Sequence, residues 1–330
     1  MEIGQQYRGW TVAIVPFPAL GDLTIYLRMA QSWMDAGARV FYFSDQLSAA
    51  SNRFDWLEVK PLAEVSPQQL AVTYDLVLWD AGVGELKADE LVPPNVAFVT
   101  SKRLPEWMRG RTESLEVRDQ VFGGRYAAFC EDSDLGRHMV AWVDHFLQKT
   151  FGLRPAKESP RVAFAPQECS QRRRVAIFPT TPNPKKNYSP CGFRKMANRL
   201  SRRGWHVSII GTPGEHAILV RDYPELEVLS FHTLNELIGF LASCPLVVSN
   251  DSGGGHLASM LGLSTVTITR KSAAFTWRPG FNSRNTVLSP LLTFKLGKGH
   301  IWRPFIPWWR ITELAEQAYG VDRAVQGNGP

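Results

Sequence analysis

The chain has 330 residues, a length typical of two domains, and its 44% hydrophobic and 21% charged residues exclude disordered, collagen-like and coiled-coil proteins. No apolar run approaches the roughly 18 residues that a membrane-spanning helix needs. The four cysteines form no CxxC pair, which is typical of a reduced cytosolic protein and indicates neither a disulfide framework nor a zinc site.

The two halves of the chain carry opposite charge. Residues 1–170 contain 17 Lys and Arg against 22 Asp and Glu, a balance of −5, whereas residues 171–330 contain 20 against 9, a balance of +11. Neither residues 171–214 nor residues 252–312 include an acid. Such a basic half indicates an anionic partner, either nucleotide phosphates, nucleic acid or an acidic membrane surface. The plainer alternative is a solvated basic face on an ordinary domain.

Short apolar runs alternate with helix-length segments along the chain. In the first half, strands are predicted at 10–17, 39–43, 75–79 and 95–100, and a helix at 22–35. In the second half, strands are predicted at 174–179, 206–210, 246–249 and 265–269, and helices at 189–203, from 257 to about 262, and at 311–324. Residues 152–171 form a plausible linker. This alternation is typical of an α/β protein with one parallel sheet in each half.

The loop at residues 250–256, Asn-Asp-Ser-Gly-Gly-Gly-His, is the most informative candidate site, because open α/β sheets bind ligands at the carboxyl ends of their strands. Its three glycines would let the backbone approach a ligand, and the following helix would offer unpaired N–H groups suited to a diphosphate. The alternative is that Asp251 or Ser252 simply caps the helix and the glycines form a tight turn. The GxGxxG and P-loop fingerprints are both missing from the sequence.

Two further loops could carry chemistry. Residues 179–190 include Thr180, Thr181, Lys185 and Lys186, which suit a metal-free phosphate clamp but equally a solvated proline-rich turn. In the loop at 18–22, Asp22 could be a general base, although spacing alone favours a stabilising acid at the start of a helix. The seven histidines of the sequence form no metal-binding pattern.

Together these segments resemble glycosyltransferase family 9, the heptosyltransferases that build the lipopolysaccharide inner core. Residues 251–258, Asp-Ser-Gly-Gly-Gly-His-Leu-Ala, are similar to the family pattern D-[ST]-G-x-x-H-x-A, and the similarity continues to residue 266. Weaker similarities are Gly21-Asp22, Lys186 ahead of an aromatic residue, and the loop at 211–215. The chain departs from the family in three places: it lacks the usual proline after Gly-Asp, has Ser264 where proline is usual, and has Thr269-Arg270 in place of an aromatic-Gly pair.

The resemblance implies the GT-B architecture, an α/β fold of two Rossmann-like domains facing each other across a cleft. Residues 1–165 would bind the acceptor. Residues 166–330 would bind a nucleotide-sugar donor and end in a helix able to fold back on either domain. The implied reaction is an inverting, metal-independent transfer of a heptose or related sugar from an ADP-sugar, without a cofactor, to a lipopolysaccharide inner-core or other glycan acceptor.

The resemblance also implies roles for single residues. Asp22 would take the proton from the acceptor hydroxyl, and Glu215 would bind the ribose. The full set of expected donor ligands is Thr180, Thr181, Lys186, Glu215, Asp251, Ser252, Gly253, Gly254 and His256. The role of Asp251 stays open, because a carboxylate repels a diphosphate. It could orient neighbouring amides or contact a sugar hydroxyl.

The expected partners are the nucleotide-sugar donor and a lipid-anchored glycan acceptor, and not nucleic acid. The expected location is the cytoplasm, with peripheral contact to the inner membrane of a Gram-negative bacterium. Aromatic and basic residues near the C-terminal end are typical of a bilayer interface, or else pack a connection between the domains. They are Trp277, Trp302, Phe305, Trp308 and Trp309, with Arg278, Lys295, Lys298, Arg303 and Arg310.

Two other functions remain open from the sequence. A nucleotide-sugar epimerase could share the two-domain fold, and product analysis with and without an acceptor would separate it from a transferase. A basic nucleic-acid-binding protein would also explain the charge, but the basic tracts lack the aromatic spacing of an RNA-binding motif.

Overall fold

A computed structural model of the protein describes residues 6–63, 65–84, 90–130, 136–164, 173–297 and 299–327, with side chains as far as residue 320. The chain divides into two compact units, Met1–Ala163 (unit 1) and Phe164–Pro330 (unit 2). Each unit folds around its own six-stranded parallel sheet. The predicted boundary at 165/166 and part of the predicted linker lie outside the described residues.

Unit 1 contains eight strands and four helices among its described residues. The strands are β1 Thr11–Val15, β2 Arg39–Phe43, β3 Glu58–Lys60, β4 Leu76–Asp80, β5 Val96–Thr100, β6 Ser114–Val117, β7 Gln120–Gly124 and β8 Tyr126–Ala128. The helices are α1 Leu20–Asp35, α2 Asp45–Ser48, α3 Pro67–Thr73 and α4 Met139–Phe151. The sheet order is β3-β2-β1-β4-β5-β8, and β6 and β7 form a separate antiparallel hairpin.

Unit 2 repeats this plan. Its strands are β9 Arg174–Phe178, β10 His206–Gly211, β11 Glu227–Ser230, β12 Leu246–Asn250, β13 Ser264–Ile268, β14 Asn285–Leu288, β15 Phe294–Leu296 and β16 Gly299–Ile301. Its helices are α5 Pro190–Ser201, α6 His216–Asp222, α7 Leu234–Leu241, α8 Gly253–Met260 and α9 Ile311–Gly327. The sheet order is β11-β10-β9-β12-β13-β14, and β15 and β16 form an antiparallel hairpin.

The predicted strands are present, each within two residues of its expected position. Their apolar runs are continuous because strands of a parallel sheet covered on both faces are buried throughout, as β4, β5, β12 and β13 are. The edge strands were not predicted because they are short and partly exposed, and therefore lack a continuous apolar run. They are β3, β8, β11 and β14. The final helix α9 packs within unit 2, on α5 and β12.

The glycines at 253–255 are helical, which corrects the prediction that they form a loop. Helix α8 begins at Gly253, four residues earlier than expected. A Cβ atom on Gly254 would lie 2.7 Å from Cδ1 of Phe178 in β9, and one on Gly255 would lie 2.5 Å from Oγ of Ser249 in β12. Gly254 and Gly255 therefore allow the helix to pack closely on two central strands.

Two residues of the predicted membrane cluster are fixed inside unit 2. Trp302 is buried in the core, with its ring 6.3 Å from that of Tyr188. Arg303 donates from Nε to the carbonyl oxygen of Asn187 at 2.7 Å. Both residues hold the segment after β16 against the loop that follows β9. Trp302 is 2% exposed, so its interpretation as a bilayer contact is wrong, whereas that of Arg303 stays a prediction. Lys298 lies outside the described residues.

We expect Gly254→Ala to destabilise the protein by about 1–3 kcal/mol, the usual cost of overpacking, because the new methyl group meets the Phe178 ring. Gly320→Ala in α9 is the matched control, since nothing lies within 4 Å of its added Cβ. That control should stabilise by up to about 1 kcal/mol through helix propensity. Thermal unfolding of both variants measures the difference, and equal stabilisation by the two substitutions would contradict the packing role.

Candidate functional site

The strand order of each sheet reverses beside its first strand, between β1 and β4 in unit 1 and between β9 and β12 in unit 2. At such a reversal the connections on either side lead away from each other and leave a crevice at the carboxyl ends of the strands. The loops after these strands hold most of the sequence-predicted site residues.

In unit 2, one carboxylate holds two lysines together. Asp251 follows β12, and its side chain is 7% exposed. Its Oδ2 accepts from Nζ of Lys186 at 3.2 Å and from Nζ of Lys271 at 3.1 Å. Lys186 lies in the loop after β9 and Lys271 follows β13, so three adjacent strand ends contribute to the cluster. Each lysine side chain stays 45% exposed.

This cluster explains the carboxylate whose role the sequence left open. Asp251 is the counterion of two ammonium groups, and the three side chains together carry a net charge of +1. Two half-exposed ammonium groups held by one buried acid form a preorganised site for an anion. Sequence reasoning missed Lys271, although it stands two residues beyond a predicted strand in a tract without acids.

Asn250, the last residue of β12, positions the Lys186 loop. Its side chain is fully buried, donates from Nδ2 to the carbonyl oxygen of Pro179 at 2.6 Å, and accepts from the backbone N–H of Tyr188 at 2.9 Å. Both ends of the loop after β9 are therefore tied to β12. The sequence gives no signal for this amide beyond its place next to Asp251.

The start of α8 lies next to the lysine cluster. Ser252 is the residue before the first turn, yet its side chain caps none of the helix N–H groups. Its Oγ is buried and has no hydrogen-bond partner in the described part of the chain. The unpaired N–H groups and partial positive charge of a helix start, together with this hydroxyl, add neutral donors to the charged ones.

The remaining predicted donor ligands have structural partners. Glu215 Oε2 accepts from the backbone N–H and the hydroxyl of Thr212 at 2.9 and 2.8 Å. Burial raises the pKa of Glu215, but the hydrogen bonds from Thr212 and Thr180 outweigh it and hold that pKa below its ordinary value. Thr181 donates to Oδ1 of Asn187 at 2.7 Å.

His256 is buried inside α8, and its ring meets the half-buried ring of Trp277 edge-on at 5.6 Å. Trp277 therefore packs against the helix that begins the site. The membrane contact expected of this half-buried ring stays a prediction.

In unit 1, Asp22 lies in the first turn of α1 and is buried. It accepts a hydrogen bond from the hydroxyl of Ser101, which follows β5. Burial raises the pKa of Asp22, while the Ser101 hydrogen bond and the positive charge of Lys102 act in the opposite direction. Lys102 also places its Nζ 3.6 Å from the ring centroid of Phe17.

A second buried carboxylate stands at the end of the neighbouring strand. Asp80, the last residue of β4, accepts from the Tyr26 hydroxyl at 2.6 Å and from the backbone N–H of Gly82 at 2.7 Å. Burial raises the pKa of Asp80 to about 6, and the charge of Asp22 adds to this rise against those two hydrogen bonds.

A carboxyl that titrates near neutral pH at the end of a parallel strand is typical of acid–base sites. Sequence reasoning missed Asp80 and Ser101, although each directly follows a strand-forming run.

Among the described residues, no three His, Cys, Asp or Glu side chains come together in a way that could hold a metal ion. In the same parts of the chain, no helix combines the length and the apolar character needed to cross a bilayer.

A family comparison identifies the stretch that contains the lysine cluster. Residues 135–296 match the model of glycosyltransferase family 9 (heptosyltransferase). This stretch includes Lys186, Asp251 and Lys271, as well as the six-stranded sheet of unit 2. A sequence comparison with curated proteins found no match.

Solved structures extend the likeness to both units. The glycosyl transferase family 9 protein from Veillonella parvula is 11% identical, with 97% of this chain and 100% of that chain covered and a TM-score of 0.68. E. coli ADP-heptose lps heptosyltransferase II is 17% identical, with 95% and 99% covered and a TM-score of 0.63. E. coli heptosyltransferase WaaC with ADP is 15% identical, with 93% and 99% covered and a TM-score of 0.62. At these identities the likeness concerns the fold, and it confirms the predicted GT-B class.

We expect the titration of Asp80 to make stability depend on pH. Because its folded-state pKa is raised from 3.8 to about 6, folding favours the protonated form. This contribution to the unfolding free energy, up to about 3 kcal/mol, is complete below about pH 4 and is lost as the pH rises through about 6. Asp80→Asn should remove that loss, so its stability relative to wild type should grow between pH 4 and 7.

Chemical unfolding at a series of pH values measures this difference. Asp119→Asn, in the exposed turn of the β6–β7 hairpin, is the control for removing a carboxylate. A pH-independent difference between Asp80→Asn and wild type would contradict the raised pKa.

Proposed function

We propose that this chain, which carries a glycosyltransferase family 9 domain, transfers a heptose or related sugar from an ADP-sugar to a lipopolysaccharide inner-core or other glycan acceptor. The observation that carries the proposal is the Lys186–Asp251–Lys271 cluster at three adjacent strand ends. Two E. coli structures of similar fold, ADP-heptose lps heptosyltransferase II and heptosyltransferase WaaC with ADP, support an adenosine diphosphate donor.

In this proposal unit 2 binds the donor. The ammonium groups of Lys186 and Lys271 neutralise the diphosphate, and the first N–H groups of α8 with the Ser252 hydroxyl bind its remaining oxygens. These donors are in place before the reaction, so they stabilise the negative charge that grows as the diphosphate leaves. A preorganised donor of this kind commonly contributes about 3–4 kcal/mol to the transition state. The neutralising charge comes from lysines, so the proposed transfer is metal-independent.

Unit 1 supplies the base and binds the acceptor. An acceptor hydroxyl oxygen attacks the anomeric carbon, the bond from that carbon to the diphosphate oxygen breaks, and the hydroxyl proton passes to Asp22. A single displacement of this kind inverts the anomeric centre. The hydroxyl of Ser101 orients the Asp22 carboxylate, and burial makes that carboxylate a stronger base than an exposed aspartate.

The other predicted ligands take lesser parts. Glu215 binds a ribose hydroxyl, and the hydrogen bonds from Thr212 hold its carboxylate in place. Thr181 and His256 support the loop after β9 and helix α8 from within, and Thr180 contacts Glu215. The protein acts in the cytoplasm on a lipid-anchored glycan and needs no cofactor beyond the donor.

We expect Lys271→Gln and Lys186→Gln each to weaken ADP binding by about tenfold or more, since each removes a charge-assisted hydrogen bond. Isothermal titration with ADP, with and without EDTA, measures the affinity. Lys185→Gln is the matched control, because it removes the same charge one residue away from Lys186. The hydrogen bonds to the Asp251 carboxylate come from Lys186 and Lys271. An equal loss of ADP affinity in the control would mean that the lysines act only through the overall positive charge of the region. Abolition of binding by EDTA would contradict a metal-free donor site.

We expect Asp22→Asn to lower turnover by at least about 100-fold while ADP affinity changes little, because the variant keeps the shape of the side chain but cannot accept the proton. Ser101→Ala should cause a smaller loss, since the carboxylate survives without its orienting hydroxyl. Release of ADP in the presence of an ADP-sugar and an acceptor measures turnover. Asp35→Asn, at the other end of α1, is the control. Turnover near the wild-type rate in Asp22→Asn would contradict the general-base role. Asp22 would then only stabilise the start of α1.

A further inference from the structure

The hairpin of β15 and β16 presents large apolar side chains to solvent. Leu291, Leu292, Phe294, Leu296 and Ile301 are 66%, 55%, 52%, 67% and 41% exposed. The strand register pairs Phe294 with Ile301 and Leu296 with Gly299. Because paired residues share a face and successive residues alternate, Phe294, Leu296 and Ile301 lie on one side of the ribbon. Five exposed apolar residues in eleven form a patch rather than scattered single residues.

A basic groove lies along α5. Its cavity of about 300 Å³ is lined by Asn198, Trp308 and four cations: Lys195, Arg199, Arg202 and Arg203. The cations follow the spacing i, i+4, i+7 and i+8, which places them on one face of the helix and its last turn. None of the four forms an ion pair with the part of the chain that the structure describes. Their charge is therefore available to an anionic partner.

The segment after β16 joins the patch to the groove. The backbone N–H of Leu291 donates to the carbonyl oxygen of Phe305 at 2.9 Å, and the Phe294 and Phe305 rings lie 5.4 Å apart. Three residues later Trp308 lines the groove, and Trp309 is 47% exposed. The apolar hairpin, the exposed tryptophan and the basic groove thus follow one another over a short stretch of chain, here named the docking surface.

We propose that the docking surface binds an anionic lipid bilayer. Apolar side chains at the hairpin enter the outer acyl region, Trp309 lies at the level of the headgroups, and the cations of the groove bind lipid phosphates. Charge complementarity supports this occupant, because residues 252–312, which include the whole hairpin, contain no acid that would be repelled by the lipid surface. The adjoining hollow beside Trp309 is lined by Glu313 and Glu316 together with three cations, Arg199, Arg203 and Arg310, so positive charge is in excess there too.

Other occupants fit the docking surface less well. A second copy of this chain would bring two basic grooves together in a two-fold contact and repel itself. Nucleic acid would pair with the groove but leave the apolar hairpin uncovered.

The test is cosedimentation of the full-length chain with vesicles of phosphatidylcholine, alone or mixed with phosphatidylglycerol. Wild type should bind the mixed vesicles, bind the neutral ones weakly, and lose affinity in high salt. Two multiple variants should each weaken binding by about tenfold or more, given a contribution of about fivefold for each basic residue. The hairpin variant combines Leu292→Ser with Leu296→Ser. The groove variant combines Lys195→Ser, Arg202→Ser and Arg203→Ser.

Matched controls come from unit 1. Val72→Ser with Leu91→Ser removes two apolar side chains that are even more exposed, at 89% and 91%. Arg154→Ser with Lys157→Ser and Arg161→Ser removes three exposed charges. Both controls should bind like wild type, and thermal unfolding checks that every variant is folded. Absence of binding by wild type, or variants that bind as well as their controls, would overturn the proposal.

Two further outcomes would replace the bilayer by another partner. If the hairpin variant turns a dimer into a monomer, the surface is covered by a second copy. If the groove variant loses DNA binding but keeps vesicle binding, the cations serve nucleic acid. No donor or acceptor is present in these assays, so their outcome is separate from that of the ADP titration and the turnover measurements.

Discussion

When the first strand of a parallel sheet lies in its middle, later strands are added on both sides of it. The loops that follow the two central strands then lead in opposite directions. In this protein that constraint operates twice, beside β1 and beside β9. The loops on either side lead away from each other, and polar groups gather at these strand ends. Asp22 and Asp80 in unit 1, and Lys186 and Asp251 in unit 2, lie directly after or at the ends of the strands on either side of these two reversals.

The two units use a buried carboxylate in opposite ways. In unit 2, Asp251 is paired with two lysines, and its burial fixes their positions while their ammonium groups stay half exposed. In unit 1, Asp22 and Asp80 accept hydrogen bonds from hydroxyl or backbone N–H groups, and burial raises the pKa of both. A charged acid with two bound cations suits the binding of an anion, whereas an acid with a raised pKa suits proton transfer.

Close packing of α8 connects the fold to the lysine cluster. Gly254 and Gly255 let the helix approach β9 and β12, and this approach sets the start of α8 beside Asp251. The glycine run that first indicated a flexible ligand loop is therefore a packing feature with a functional consequence. The same helix buries His256 against Trp277, so the residues of the family pattern divide between those that face the strand ends and those that pack beneath them.

The sequence by itself determined the α/β class, the eight central strands and the loops in which a site had to lie. These features depend on local patterns, namely continuous apolar runs and glycine or proline turns, which are readable without knowledge of neighbouring segments. Asp22, Lys186 and Asp251 could be named for the same reason, since each directly follows a predicted strand or stands in a short motif. The resemblance to glycosyltransferase family 9 likewise depended on one contiguous segment.

Only the tertiary structure decided which of these residues meet. Lys271 joins Lys186 and Asp251 because β13 lies beside β12, and Asp80 approaches Asp22 because β4 lies beside β1; strand order is a long-range property that no local pattern encodes. Burial is also collective, so the structure alone separated the buried Trp302 from the exposed Trp309 within one aromatic cluster. Net charge, in contrast, is a sum over the composition, so the sequence alone showed that the second half is basic. Which groups these basic residues contact was decided by the tertiary structure.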